Sequence, residues 1–413
     1  MIITILIFIV ILGILVFVHE LGHFIVAKKS GMQVEEFGFG FPPRIAGIQK
    51  VNGKWRWVWA FRLKNNLSAP SGHLPSGGEN SVSVHDTGKT AEPPSPSEER
   101  AGERLQSSEG TIYSINAIPL GGFVRILGEN NENEDHPGSF INKGFWPRFF
   151  TLVAGVTMNI ILAWVIFSAG YMIGLPVSIN SLADVPARAT LTNPQTAVLD
   201  VVKNLPADKA GLKANDIILS LDNKTFNSVD LFQQYVNSHQ GQVINFQVQR
   251  GQEHLNLQIT PNLNPAPGQG ATGIEISLLG RLKYPWYTAI WQGGIATFSG
   301  LAGIVYGLYS LFAQHMGFSS LGGPVQIAKL TGQVAGLGFV FLMQFTAFLS
   351  LNLAVLNILP FPALDGGRVL FLLIETVRRK RNNQKVEQYF NTAGFVFLIL
   401  LMVAVTIHDI IRK

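Results

Sequence analysis

The sequence predicts an α-helical polytopic membrane protein with four transmembrane helices, a membrane-associated β-hairpin region and one extracytoplasmic α+β module. Three observations carry this. Hydrophobic residues make up 47% of the 413 positions and charged residues only 14%, a balance foreign to a chain of two or three water-soluble domains. Four stretches are apolar over the roughly 20 residues that a bilayer crossing needs. Between the second and third lies a run with the short alternating and helical periods of a small soluble domain. The formal charge of +5 and the pI near 9.3 come from Lys and Arg gathered beside the apolar stretches. That placement reads as contact with membrane lipid, with no nucleic acid as partner. Cysteine is absent, which excludes thiol nucleophiles, disulfides and Cys-held zinc.

The first span is expected over 1–28. Ile2 to Val18 carries no charge, Lys28 and Lys29 mark an interface, and the segment has neither a basic start nor a small-residue cleavage site. It reads as a retained helix, not a removed signal. Near its inner end stands His19-Glu20-Leu21-Gly22-His23, an HExxH motif. The i, i+4 spacing puts both imidazoles on one helix face, where two nitrogens can share a zinc, and leaves Glu20 as general base toward a metal-activated water. That is the chemistry of peptide-bond hydrolysis. By helical rise these residues sit roughly 7–14 Å inside the interface. Ionisable groups at that depth are costly without partners, which favours a functional cluster over a chance one buried against another helix.

Residues 29–64 and 110–147 are predicted to form a cytoplasmic, membrane-associated β region. Val34 to Phe41 and Lys50 to Phe61 alternate, the second with Trp55, Trp57 and Trp59 on one face, as a strand face or an interfacial belt. The intervening 65–109 is dominated by Ser, Pro, Gly and Glu, cannot bury a core and is predicted to be disordered. Its His73 and His85 read as solvated. Apolar runs on either side of Pro119-Leu120-Gly121-Gly122 predict a hairpin with a tip able to approach another backbone closely. Its edge is either an ordinary one or a place where an extended peptide pairs.

The second span covers 149–175, with Gly155, Asn159 and Gly170 available for helix contacts, Asn159 as a hydrogen-bonding residue more than a catalytic one. In the module, 185–265, Ser228 caps a helix to about Val236 with Val229, Phe232 and Val236 on one face. Ile244, Phe246 and Val248, then Leu255, Leu257 and Ile259, alternate about Arg250-Gly251-Gln252 as a hairpin. A helix beside a sheet edge suits peptide binding, and a generic β-rich domain would share the pattern. Residues 284–328 carry no charge but are rich in Gly and open with Trp286, Tyr287 and Trp291; they are assigned to a helical segment on the membrane surface. The third span region is 335–375, broken by Pro360 and Pro362, and the fourth span is 388–408. Lys and Arg number 14 from Lys28 to Arg148 and 6 from Arg368 to Lys385, against 8 in the long module loop. The first and third loops therefore face the cytoplasm and the module faces outward. A further crossing within 284–328 would put Arg378-Arg379-Lys380-Arg381 outside.

Two histidines leave zinc one protein ligand short. With four spans, the first and third both run inward, which brings Asp365 to the depth of His19 and His23 and makes it the candidate third ligand. Asp365 has two simpler roles open to it, capping the helix that starts at Gly366 and pairing with Arg368.

The stretch Asn357-Ile358-Leu359-Pro360-Phe361-Pro362-Ala363-Leu364-Asp365-Gly366, taken with His19-Glu20-Leu21-Gly22-His23, resembles the site-2 protease family, in its RseP type of bacterial intramembrane metalloprotease. The likeness runs over nearly the whole chain, and paired motifs at its opposite ends are far more specific than HExxH alone. The resemblance implies Zn2+ held by His19, His23 and Asp365, Glu20 as base, and Asn357 contacting the substrate backbone. It also matches Gly121, Gly122 and Phe123 to a Gly-Gly-aromatic element on a membrane-associated hairpin, and the module is similar to a PDZ domain. Expected substrates are transmembrane segments of single-span proteins, of anti-sigma-factor or remnant-signal-peptide type, cut after a first extracytoplasmic protease has acted. The expected place is the bacterial inner membrane, with the active site near the cytoplasmic side. Two features depart from the type: there is room for one PDZ-like domain where two often stand in tandem, and the insert at 65–109 is unlike the compact loop. A rival class, a membrane-tethered PDZ scaffold with a structural metal, has no use for Glu20. A metal transporter would spread ionisable residues along several spans, and here they cluster at one depth.

Overall fold

A computed structural model describes residues 2–59, 109–129, 136–265, 270–313 and 323–411. The insert lies outside the described residues up to 108, and His73 and His85 with it. In chain order the elements begin with α1 (Ile2–Lys29), β1 (Val34–Val51), β2 (Lys54–Trp59), β3 (Glu109–Ile126) and α2 (Phe145–Ile173). There follow β4 (Leu175–Ile179), β5 (Thr190–Val201), α3 (Pro206–Lys209), β6 (Ile217–Leu221), α4 (Val229–Ser238), β7 (Ile244–Arg250), β8 (Glu253–Ile259) and β9 (Ile274–Lys283). The chain closes with α5 (Trp286–Ala313), α6 (Pro324–Leu337), α7 (Phe339–Ile358), α8 (Asp365–Arg378) and α9 (Gln384–Ile411). These elements divide into two compact units, one of residues 9–158 and 357–398, the other of 1–8, 159–356 and 399–413.

In the first unit, α1 ends on Lys28 and Lys29, cations that suit the negative end of a helix. It packs on α2 through Gly22, where an added Cβ would stand 2.4 Å from the Ala154 carbonyl oxygen, so the two backbones meet because that position has no side chain. A buried cluster of Ala27, Met32, Val34, Ile126, Phe140, Leu152 and Leu372 ties α1, the sheet, α2 and α8 together. The sheet has the order β2-β1-β3, and here the expected hairpin needs correction. β1 bends between Phe41 and Arg44, and β3 bends around Pro119 to Gly121, so that Phe37 pairs with both Val124 and Tyr113. The first arm of β1 is threaded between the two arms of β3, which therefore never pair with each other. The turn signal at Pro119-Leu120-Gly121-Gly122 marks a bend in one long strand, because the better partner for each apolar arm is β1 and not its own neighbour.

The second unit holds a six-stranded sheet of order β4-β9-β5-β6-β7-β8, antiparallel at every step. Its core includes Val198, Leu221, Phe232, Ile244, Phe246, Val248 and Ile259. Ser228 caps α4 by accepting from the Asp230 amide, and α4 buries Val229, Phe232 and Val236 as the periodicity predicts. β7 and β8 form the expected hairpin from Ile244 with Ile259 to Arg250 with Glu253. The sheet reaches beyond 185–265, since β4 joins before it and β9 is inserted between β4 and β5. The C-terminal half of α2 packs with α5 and α7 through Ala163, Phe167, Ile304, Ala347 and Leu351, and Ser350 Oγ donates to the Asn159 carbonyl oxygen at 2.8 Å.

Among the described residues five helices, α1, α2, α5, α7 and α9, are long and apolar enough to cross a membrane by length and composition. Four crossings are expected from the sequence, and the additional candidate is α5. That helix lies in 284–328, assigned from the sequence to a helical segment on the membrane surface because a further crossing there would put Arg378-Arg379-Lys380-Arg381 outside. It is a continuous 28-residue helix, for each glycine costs only about 1 kcal/mol and the apolar residues between them pack on α2 and α7.

Candidate metal centre and active site

The HExxH stretch is fully helical, and the i, i+4 spacing brings the His19 and His23 rings together, with their Nε2 atoms 3.2 Å apart and both side chains buried. Asp365 comes to the same point from the other end of the chain. Its Oδ2 lies 2.9 Å from His19 Nε2 and 3.3 Å from His23 Nε2. Two observations show that these residues fit a metal ion. His23 Nδ1–H donates to the Thr151 carbonyl oxygen at 2.7 Å, which fixes the tautomer so that the Nε2 lone pair faces Asp365. A Cβ at Gly155 would fall 2.4 Å from His23 Nε2 and 2.6 Å from His19 Nε2, so α2 passes this close to the two ring nitrogens only as glycine. Two imidazoles and one carboxylate are the donor set of a catalytic zinc with an open position.

Asp365 takes neither of its simpler roles. It is the first residue of α8, preceded by an N-cap at Leu364 that makes no side-chain bond. Arg368 is engaged elsewhere, donating to Glu129. The glycines after Asp365 let the turn close tightly, as a Cβ at Gly366 would stand 2.2 Å from the Ile358 carbonyl oxygen and one at Gly367 2.3 Å from that of Phe361. The start of α8 also favours a carboxylate there through the helix dipole.

Glu20, His23 and Asp365 open onto a cavity of about 540 Å³, walled by Phe123 to Ile126 of β3, by Leu127 to Glu129 in the turn after it and by Arg368. Asn357 Nδ2 is 3.4 Å from His19 Nε2, at the inner margin of the site. Of the three hairpin residues singled out from sequence, Phe123 lines the cavity. Gly121 and Gly122 do something else. Gly121 has φ +121°, and a Cβ there would lie 2.6 Å from Val16, while Gly122 lies against Phe17. They let the bend of β3 rest on α1 one turn before His19. Sequence reading missed this contact, the Thr151 carbonyl and the wedge role of Gly155, and the only available signal was small residues facing each other on two apolar helices.

The profile of peptidase family M50 matches residues 7–61 and 102–401. The chain belongs to peptidase family M50. This M50 protein is a multi-pass membrane zinc metalloprotease of site-2 protease type. It is 30% identical to zinc metalloprotease RasP of Bacillus licheniformis over 99% of each chain. It is equally identical to RasP of Geobacillus kaustophilus, over 98% of this chain and 96% of that one. The regulator of sigma-W protease RasP of Bacillus subtilis is also 30% identical, over 99% of this chain and 98% of its own. The PDZ domain of the SdrC-like protein from Listeria monocytogenes matches 21% of this M50 chain and 92% of that domain, at 24% identity and a TM-score of 0.19.

Proposed function

We propose that this protein is an intramembrane endopeptidase of a bacterial inner membrane, cutting transmembrane segments of single-span proteins near the cytoplasmic side. The observation that carries the reading is the convergence of His19, His23 and Asp365 beside Glu20, on one cavity walled by a strand edge. Bound zinc supplies Lewis acidity and a low-pKa water. Glu20 takes the proton of the attacking water and returns it to the leaving amine nitrogen. Thr151 holds His23 in register, and Asn357 offers an amide to the substrate backbone. A transmembrane helix hides its scissile carbonyl in its own hydrogen bonds and must unwind locally. Among the described residues the outer side of Phe123–Ile126 has no strand partner, so an unwound segment can recover its bonds there. The name of the Bacillus subtilis relative, regulator of sigma-W protease, supports substrates of anti-sigma type; we further read these as cut after a first extracytoplasmic protease, and the sheet module as a single extracytoplasmic PDZ-like domain.

The same convergence bears on the number of crossings. His23 and Asp365 share one depth only if an even number of crossings separates them. α2 and α7 make two, and α5 as a third would carry Asp365 to the opposite side. We therefore read α5 as lying along the outer surface, with four helices crossing. The function is tested with full-length protein in vesicles and a single-span substrate. Glu20→Gln should keep its zinc and lose cleavage by roughly 10²–10⁴-fold. Retained cleavage would sink the proposal, and a scaffold with a structural metal would show none in either form.

A further inference from the structure

α8 carries Asp365 on its first turn and presents two faces of opposite character. At about 100° per residue, Asp365, Arg368, Leu372 and Glu375 fall on one side. That side is turned to the protein: Leu372 is buried, Arg368 pairs with Glu129, and Glu375 accepts two hydrogen bonds from Arg148 at 2.9 and 3.1 Å. Leu370, Leu373, Ile374 and Val377 fall within an arc of about 100° on the opposite side. All four are exposed, Val377 to 83%. The helix then ends in Arg378, Arg379, Lys380 and Arg381, all exposed. Among the described residues no carboxylate lies within ion-pair distance of Arg378, Arg379 or Lys380, and Arg381 reaches Asn142.

Water is a poor neighbour for four large apolar side chains in a stripe. A bilayer surface suits both halves of the pattern, the stripe facing the acyl boundary and the cations facing phosphates. Chain connectivity holds the helix at that level, because α8 is joined by short links to α7 before it and α9 after it, both candidate spans. We propose that α8 is docked on anionic phospholipid headgroups through Leu370, Leu373, Ile374 and Val377 and through Arg378 to Arg381. The helix that carries Asp365 is thereby gripped from both sides, by the Glu129 and Arg148 ion pairs on one face and by lipid on the other.

The absence of cysteine makes the test direct, since Val377→Cys gives one labelling site on an exposed side chain. Full-length, zinc-loaded protein bearing an environment-sensitive fluorophore there is placed in phosphatidylcholine vesicles, and in vesicles with about 30% phosphatidylglycerol, an anionic surface of the kind juxtamembrane cations recognise. Quenching by brominated acyl chains should be about threefold stronger in the anionic vesicles and should fall back in high salt, where surface charge is screened. R378Q/R379Q/K380Q/R381Q should behave in anionic vesicles as the unaltered cluster does in neutral ones. Equal quenching in both lipids, or none in either, overturns the proposal. No proteolysis is read, so this result and the fate of the protease reading are separable.

Discussion

At Gly155 the missing side chain leaves the space in which His19 and His23 turn their Nε2 atoms toward Asp365. Gly155→Ala places a methyl carbon 2.4 Å from His23 Nε2, a separation that real atoms do not adopt, so a ring must swing. Zinc affinity should fall by roughly 10–100-fold, the range seen when support behind a ligand is disturbed, as measured by competition with a chelator. Asp365→Ala removes the proposed third ligand, and zinc content by elemental analysis should drop below that of Gly155→Ala. Unchanged stoichiometry would strike Asp365 from the donor set. On the proposed reading Glu20 serves the reaction and not the metal's retention, so the two measurements separate its role from the others.

Elements meet here through close backbone approach and through buried ion pairs. Gly121→Ala must strain a φ of +121° and push a methyl carbon to 2.6 Å from Val16, costing about 1–3 kcal/mol. Val16→Ala in the same chain should restore part of the loss in a thermal melt, and additive losses would show that the two positions do not press on one another. In the six-stranded module, Asp216 is buried against Arg250, which donates to its carboxylate through Nε at 2.7 Å and Nη2 at 2.6 Å. Burial pushes the Asp216 carboxyl up, but the Arg250 hydrogen bond and charge and the Lys213 amide outweigh it and hold the group below its ordinary value. A depressed folded pKa means a contribution that is present above the unfolded value of about 3.9 and lost as pH falls through the folded one. Hydrogen exchange of β6 and β7 should therefore stay slow at neutral pH and rise on strong acidification. Asp216→Asn should remove that acid dependence and cost roughly 1.5–3 kcal/mol at neutral pH, the scale of a hydrogen bond to a charged group.

At the scale of the whole molecule the open choice is the path through the bilayer, because a fifth apolar helix exists. Single cysteines at Ser238 in α4 and at Lys380 after α8 decide it, since a membrane-impermeant thiol reagent reaches each from one side only. Opposite sides are expected from four crossings. Labelling from the same side would make α5 a crossing and would leave Asp365 unable to meet His19 and His23, contrary to their 2.9 and 3.3 Å approach.

What can be read along the chain is whatever repeats within a few residues. The four-residue spacing of His19 and His23, close to one helical turn, puts both rings onto one face in any helix, the uncharged run of α1 requires lipid or burial, and the alternation of β7 and β8 about Arg250-Gly251-Gln252 needs no distant partner. Short-range geometry suffices for each. The rest depends on partners tens or hundreds of residues away, which no local pattern records. Only the folded chain decides that β1 threads between the arms of β3, that β9 enters the sheet between β4 and β5, and that the Thr151 carbonyl and bare Gly155 frame the imidazoles. It also assigns Arg368 to Glu129 and frees Asp365 for the histidines. Hydrophobic burial drives all of these and has no direction of its own, so side-chain shape and non-local pairing choose among the arrangements that the apolar runs alone allow.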